Sequence, residues 1–430
     1  MPSSNNTPPV IRGGAEVKFE PLKNKAAIEF LKRKVPEVSK HWDDFIAPVH
    51  AHSFTIAGAP TIDFLVDMQN ALVKAIDQGS SLGAFRKDFD ATVKKFGWPY
   101  KGERGWRTRV IYQTNMRSAA QAAKWKVIQK NKDIAPYLEY IHNPNRNPRQ
   151  QHLAWDGLIL HVDDAFWLRA YPINAFGCHC GVRQHSAASL KRMGKEVSDS
   201  YSFKTHDVVN KATGQVYHNL PVGVDPGFDD NVGISWTAPA TSFGRKLANL
   251  PDLLAATAYK NMVTDSFMQA VDRQFAAYFD DISTRYAIQK TSKQSPKSPP
   301  IFTGYLAYPI VDELNKFGIH LDNLAIITTY NQIPHLSAET RNKKLSPAYA
   351  GDWVKRIPSL IHNAQAVLYD ESKGSLQIIP KEKVGSRRIK VIVKLVGGKD
   401  KAVVNQTTSI SIVDEANLKE PHLKLIYGSL

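Results

Sequence analysis

Two cysteines and several histidines are the residues of this chain best suited to hold a metal. Cys178, His179 and Cys180 are consecutive, and His152, His161 and His185 lie close by in sequence. Zinc takes four tetrahedral Cys and His ligands, with thiolate its strongest common partner. A C-x-C pair supplies two ligands, and Cys178, Cys180 and His152 form the candidate set. The usual signal, paired C-x-x-C motifs, is missing. The plainer reading therefore comes first: two small buried thiols holding a tight turn beside Pro172 and Gly177. On that reading the chain needs no cofactor, and structural zinc is the alternative. A disulfide across so small a ring would be strained.

Carboxylates offer weaker candidates. Asp156 with Asp163 and Asp164 can hold magnesium or do acid/base work, but a helix cap before Phe166 and Trp167 is the simpler role. Asp225, Asp229 and Asp230 sit in PVGVDPGFDDNVG, residues 221–233, and their spacing does not match an EF-hand.

Charge points to a partner. The net charge is +16, and residues 101–192 carry 15 Lys/Arg against 6 Asp/Glu. More than half of the excess thus lies in under a quarter of the chain. Concentrated positive charge favours a polyanion through counterion release. The candidate DNA contacts are Arg107, Arg109, Arg117 and Lys124. A solvated basic face, or one that meets an acidic protein, is the alternative.

These residues need elements to position them. The length, 430 residues, implies two or three domains. No apolar run is long enough to span a membrane. The first residues are polar and prolyl and lack a secretory pattern, so residues 1–19 are expected to be a disordered arm made in the cytoplasm. Thr61 should cap a helix ending at Gly79, with Ile62, Leu65, Val66, Leu72, Val73 and Ile76 on one side. A second helix is expected over residues 82–96, stopped by Gly97. The longest should run over residues 104–131, with Tyr112, Met116, Ala119, Ala123 and Val127 as its stripe. A strand should follow near residues 137–142. Residues 252–289 read as helical, with Val271, Phe275, Tyr278 and Ile282 on one face. KTSKQSPKSPP, residues 290–300, reads as a linker. Beyond it, helical signals at 309–317 and 350–362 precede β-rich runs at 366–369, 376–379, 389–395 and 401–412, with a Gly397-Gly398 turn. The fold class is α+β and multidomain: a mainly helical module over 20–289, then a small domain of helices and antiparallel sheet over 301–430.

Several stretches, in order, resemble the Mu protein F-like head-morphogenesis (minor capsid) family. They are FTIAG at 54–58, KKFGW ending at Trp98, RTRVIYQTNMRSA at 107–119, HLAWDGLIL at 152–160, DDAFW at 163–167 and PINAFGCHC at 172–180. The resemblance covers about residues 20–290. It departs at His179, where the family usually places Arg or a similar residue. It implies a minor head component near the portal, incorporated during procapsid assembly, with portal and major capsid proteins and phage DNA as partners. The implied location is the virion head, and the host cytoplasm during assembly.

Residues 301–430 resemble, more diffusely, the barnase/EndoU/colicin/RelE-like nuclease domains that sometimes follow this module. The stretches are TTYNQIPHLS, VLYDESKGSLQIIP, RRIKVIVKL and NQTTSISI. That resemblance implies metal-independent RNA cleavage. His335 would act as general base or acid, Arg388 or Lys394 would stabilise the phosphate, and Thr407, Thr408 or Ser409 would orient it. The rival from another class is a free RNase toxin or effector on a phage-derived scaffold. An ADP-ribosyltransferase would need a Glu-x-Glu motif, and residues 301–430 contain none.

Overall fold

The chain enters through α1 (Lys25–Lys32) and β1 (Val35–Pro36), which pairs in parallel with β2 (Ser53–Phe54). In this computed structural model the described residues are 24–144, 147–211, 213–289, 298–336, 351–395 and 404–430. The expected arm, most of the 290–300 segment and the Gly397-Gly398 turn lie outside them.

Local chemistry sets the next helices. α2 (Ile62–Gln78) begins where Thr61 Oγ1 accepts the Phe64 amide at 3.2 Å and ends at Gly79, left-handed at φ +62°. α3 (Leu82–Phe96) repeats the pattern with Ser81 and Gly97. α4 (Arg104–Lys130) is about 40 Å long at 1.5 Å per residue. With α1 they bury Phe30, Phe64, Leu65, Leu72, Phe85 and Phe89 in a shared core.

The expected faces need correction. Ile62 is 55% exposed and Val66 is also exposed; α2 instead buries Phe64, Leu65, Met68 and Leu72. On α4, Val127 is exposed, whereas Trp125 and Ile128 are buried. The reason is that α4 changes neighbours midway. Ala119, Ala122 and Ala123 face the helical core, while Trp125 and Ile128 enter a second one. One stripe cannot describe a helix that serves two cores.

That second core lies against the sheet of β3 (Tyr137–Ile141), β4 (Ile159–His161) and β5 (Gly181–His185), antiparallel with β3 central. Short helices α5 (Gln150–Ala154), α6 (Phe166–Arg169) and α7 (Ala187–Met193) connect and follow its strands. A hairpin of β6 (Thr205–Val209) and β7 (Val216–Pro221) follows. Asp43 anchors it, accepting from Asn210 at 2.6 Å and Tyr217 at 3.0 Å. α8 (Val232–Thr237) then packs on α4, with Gly233 against the Trp125 side chain.

The third core crosses the expected domain boundary. α9 (Pro239–Ala248), α10 (Asp252–Asn261) and α11 (Asp265–Gln289) do not belong with the helical core. Phe243, Leu247, Phe267, Val271, Phe275 and Ile282 share one cluster with the C-terminal sheet. The Phe243 ring lies 5.5 Å from Phe302, and the Ser359 amide donates to Asp272 at 3.0 Å. Residues 290–300 therefore join two parts of one packed unit. The stretch 252–289 is helical as two helices, separated at residues 262–264, where Thr264 Oγ1 accepts the Phe267 amide and starts α11.

Among the described residues the sheet of this unit has eight strands: β8 (Ile301–Tyr305), β9 (Ala325–Thr328), β10 (Ala364–Asp370), β11 (Ser375–Pro380), β12 (Lys383–Val384), β13 (Arg387–Lys394), β14 (Asn405–Val413) and β15 (Leu423–Gly428). The order is β15-β10-β11-β13-β14-β9-β8, with β12 on β13. It is larger than expected and mixed, because β14 pairs with β9 in parallel. Helices α12 (Tyr308–Lys316), α13 (Ile333–Leu336) and α14 (Ile357–His362) complete the unit. The class is α+β. Among the described residues no helix is long and apolar enough to cross a membrane.

Candidate functional site

The Cys178, Cys180 and His152 side chains meet in the second core. Their candidate ligand atoms lie within 4.8 Å of one another, and all three residues are buried. Cys180 Sγ is 3.5 Å from His152 Nδ1, and Cys178 Sγ is 3.8 Å from the same nitrogen. A fourth side chain, His142, places its Nδ1 3.4 Å from Cys180 Sγ.

Each residue is delivered by a different element. His142 follows directly on β3, His152 rides on α5, and Cys180 immediately precedes β5. Gly177, left-handed at φ +71°, turns the chain into Cys178, whose amide donates to Ala175 O at 3.1 Å. His152 Nε2 lies 2.6 Å from Gly223 O, which leaves Nδ1 with its lone pair facing the sulfurs. Gly223 must be glycine. Its φ is +96°, and an added Cβ would sit 2.5 Å from Gln151 Cγ. The Cys178 thiol is held below its ordinary range, chiefly by a hydrogen bond from Cys180, against burial and with help from His152. Cys180 is pushed up, chiefly by its hydrogen bond with Cys178 and by burial.

The basic residues of α4 hold this loop. Arg117 donates to Cys178 O at 2.9 Å, and Lys124 donates to Val182 O. With Arg183, His179 and Asn143 they line an open cleft of about 430 Å³ beside Cys180. Burial lowers the affinity of Lys124 for its proton, and the nearby Arg183 charge adds to this. Arg107 lies elsewhere, donating to Ala57 O with its guanidinium 5.1 Å over the Trp98 ring. Arg109 is exposed. The four candidate DNA contacts therefore form no single row. Arg117 and Lys124 share one cleft, which sequence reading did not find.

The other histidines named with the cysteines are elsewhere. His161 faces Asp163, and His185 is buried 2.8 Å from Glu139. The acidic candidates are used by the fold. Asp164 accepts the Phe166 amide at 2.8 Å, Asp163 pairs with Lys132 at 2.6 Å, and Asp156 accepts the His142 amide at 2.7 Å. Asp225 pairs with Arg149, Asp229 with Lys246, and Asp230 accepts from Ser242.

In the C-terminal unit the expected catalytic residues separate. Arg388 is buried, donating to Glu415 at 3.2 Å and to Gln365 at 3.1 Å. Lys394 is six residues further along β13, about 20 Å away. The two cannot serve one phosphate. Lys394 registers with Gln406, and Gln332 Nε2, just before α13 with His335, lies 3.3 Å from Gln406 Oε1. His335 is exposed. Thr407 is buried against Thr303 at 3.3 Å, Thr408 lies 3.4 Å from Ile392 O, and Ser409 registers with Ile392.

The whole is a basic α+β protein whose longest helix grips a buried Cys/His cluster. Residues 66–183 match the family model described as Phage Mu protein F like protein, a span that contains all four cluster residues. The chain is 25% identical over 425 residues to the putative capsid assembly protein F of Escherichia phage Mu, covering 93% of each chain. It is 24% identical over 366 residues to the Mu-like prophage FluMu F protein of Haemophilus influenzae, covering 80% of this chain and 86% of that one. The chain thus carries a phage Mu protein F-like domain over residues 66–183. The 93% coverage leaves about 30 of its 430 residues unaligned, so the likeness to the phage Mu protein extends well into the C-terminal unit. No solved structure matches the chain.

Proposed function

We propose that this protein is a head-assembly component of a tailed phage or prophage, working beside the portal and major capsid proteins and touching DNA. The observation that carries the reading is the end-to-end likeness to a protein named for capsid assembly. The DNA contact is supported by the charge of +16 and by the cleft where Arg117, Lys124 and Arg183 converge. A protein close to packaged DNA lies against dense phosphate, and a basic surface offsets repulsion there.

Two measurements test it. Full-length protein should co-sediment with procapsids assembled from its own portal and capsid proteins, and sedimenting alone would refute the assembly role. Duplex DNA binding should weaken roughly 40- to 150-fold between 50 and 200 mM salt if three to four phosphates are contacted. A flat response removes the DNA contact.

A second reading keeps the C-terminal unit as a ribonuclease. Its support is the Gln332–Gln406 contact, which anchors the helix of His335 at the Lys394 end of β14. RNA cleavage that His335→Ala abolishes would sustain it. Cleavage unchanged by that substitution, or none in the parent, would remove it.

A further inference from the structure

We propose that Cys178, Cys180, His152 and His142 bind a structural zinc ion. The proposal is independent of the head-assembly reading.

The donor geometry is that of a zinc shell. Zn–S bonds of about 2.3 Å and Zn–N bonds of about 2.0–2.1 Å at tetrahedral angles put sulfur and nitrogen about 3.5–3.6 Å apart. The three S···N separations here are 3.4, 3.5 and 3.8 Å. As hydrogen bonds, the contacts to Cys180 need His142 Nδ1–H to donate to its sulfur and its thiol to donate to His152 Nδ1. His152 Nδ1 faces both sulfurs while Nε2 is engaged by Gly223 O. A cation that accepts lone pairs from two thiolates and two imidazoles satisfies every one of these contacts.

The surroundings fit as well. The His152–Gly223 contact is the outer-shell bond that fixes a ligating imidazole's tautomer and orientation. Among the described residues His142 Nε2 has no hydrogen-bond partner, whereas Nδ1 lies against Cys180 Sγ. His142 is the outer member. The other three lie mutually within 4.8 Å, and the His142 ring would have to turn from Cys180 toward their centre to close the shell. Two thiolates neutralise Zn²⁺, so the site can be dry without a buried net charge. Mixed thiolate and imidazole donors select zinc over magnesium or calcium. A filled four-ligand shell has no open position, so its role is to hold structure. It would tie the end of β3, α5 and the 178–180 loop together, and through Arg117 fix the loop against α4.

The test is metal analysis of full-length protein expressed with zinc. The expected result is about one equivalent per chain. Cobalt substitution should give the thiolate charge-transfer band and the intense visible bands of tetrahedral coordination. Cys180→Ser and Cys178→Ser should lose the metal. His142→Gln is half-buried and milder, and should weaken zinc by more than the roughly 10- to 100-fold typical of outer-shell losses, read by chelator competition. Less than about a tenth of an equivalent in folded protein overturns the site. So does a full equivalent that survives Cys178→Ser and Cys180→Ser. Unchanged affinity in His142→Gln removes His142 as the fourth ligand.

Discussion

In a chain that stops after Gln289, α9, α10 and α11 should fail to fold. α9, α10 and α11 would lose the sheet and α14 against which they pack. Phe243 and Tyr259 would lose Phe302, at 5.5 and 6.4 Å, and Tyr259 would also lose His362 at 5.0 Å. Val271, Phe275 and Ile282, all fully buried on α11, would be uncovered with them. Exposing five such side chains at about 1.5–3 kcal/mol each costs about 8–15 kcal/mol. That is as large as the whole net stability of a typical domain, about 5–15 kcal/mol. The assay is hydrogen exchange with size-exclusion chromatography on residues 1–289 and on the full chain. The fragment should aggregate, or lose protection throughout α9–α11 while α2–α4 stay protected. A monodisperse fragment with α11 protected as in the full chain would refute the packing argument.

Three further outcomes concern half-buried histidines and two closely packed glycines. His50, His52 and His362 are held neutral by burial, each lowered to about 4. The unfolded chain binds their protons first as pH falls. Their stabilisation is therefore complete above about pH 6.5 and is lost toward pH 4, at up to about 1.4 kcal/mol per pH unit each. Denaturant melts across that window should show the slope, and His362→Phe should reduce it; a flat profile contradicts their burial. Gly223→Ala must strain a left-handed backbone and push on Gln151, at a cost of about 1–3 kcal/mol. A lowered Tm is expected, and an unchanged one argues against the close approach. Gly233→Ala would put a Cβ 2.2 Å from Trp125 Cβ and force α8 off α4, at about 1–3 kcal/mol or more. Tm again reads it, and a neutral effect would show that the contact gives way freely.

Much of the N-terminal fold was legible because its signals are local. Thr61, Ser81, Gly79 and Gly97 bracket α2 and α3, and each works through its own backbone. Burial faces were harder, since Ile62 and Val127 fit a helical stripe but meet solvent. The unit boundary was misread for a similar reason. KTSKQSPKSPP has the composition of a linker, and nothing in it reveals that α11 and β8 on either side share a core. In the Cys/His cluster, Cys178, Cys180 and His152 were identifiable by residue type. His142 was missed because it sits at a strand end 38 residues from Cys180, a pairing that depends on β3 and β5 lying side by side. A histidine ten residues before His152 was the available signal. Arg388 was chosen for its charge, but its ion pair with Glu415 depends on where the chain returns after β14.

The central claim is that this chain is a working part of a phage head. A mass-spectrometric inventory of purified procapsids and heads, from the phage or prophage that encodes it, tests that claim most directly. The account predicts peptides from both sides of residue 290 in procapsids, at far fewer copies than the major capsid protein. Particles that assemble normally and contain no peptide of this chain would contradict it.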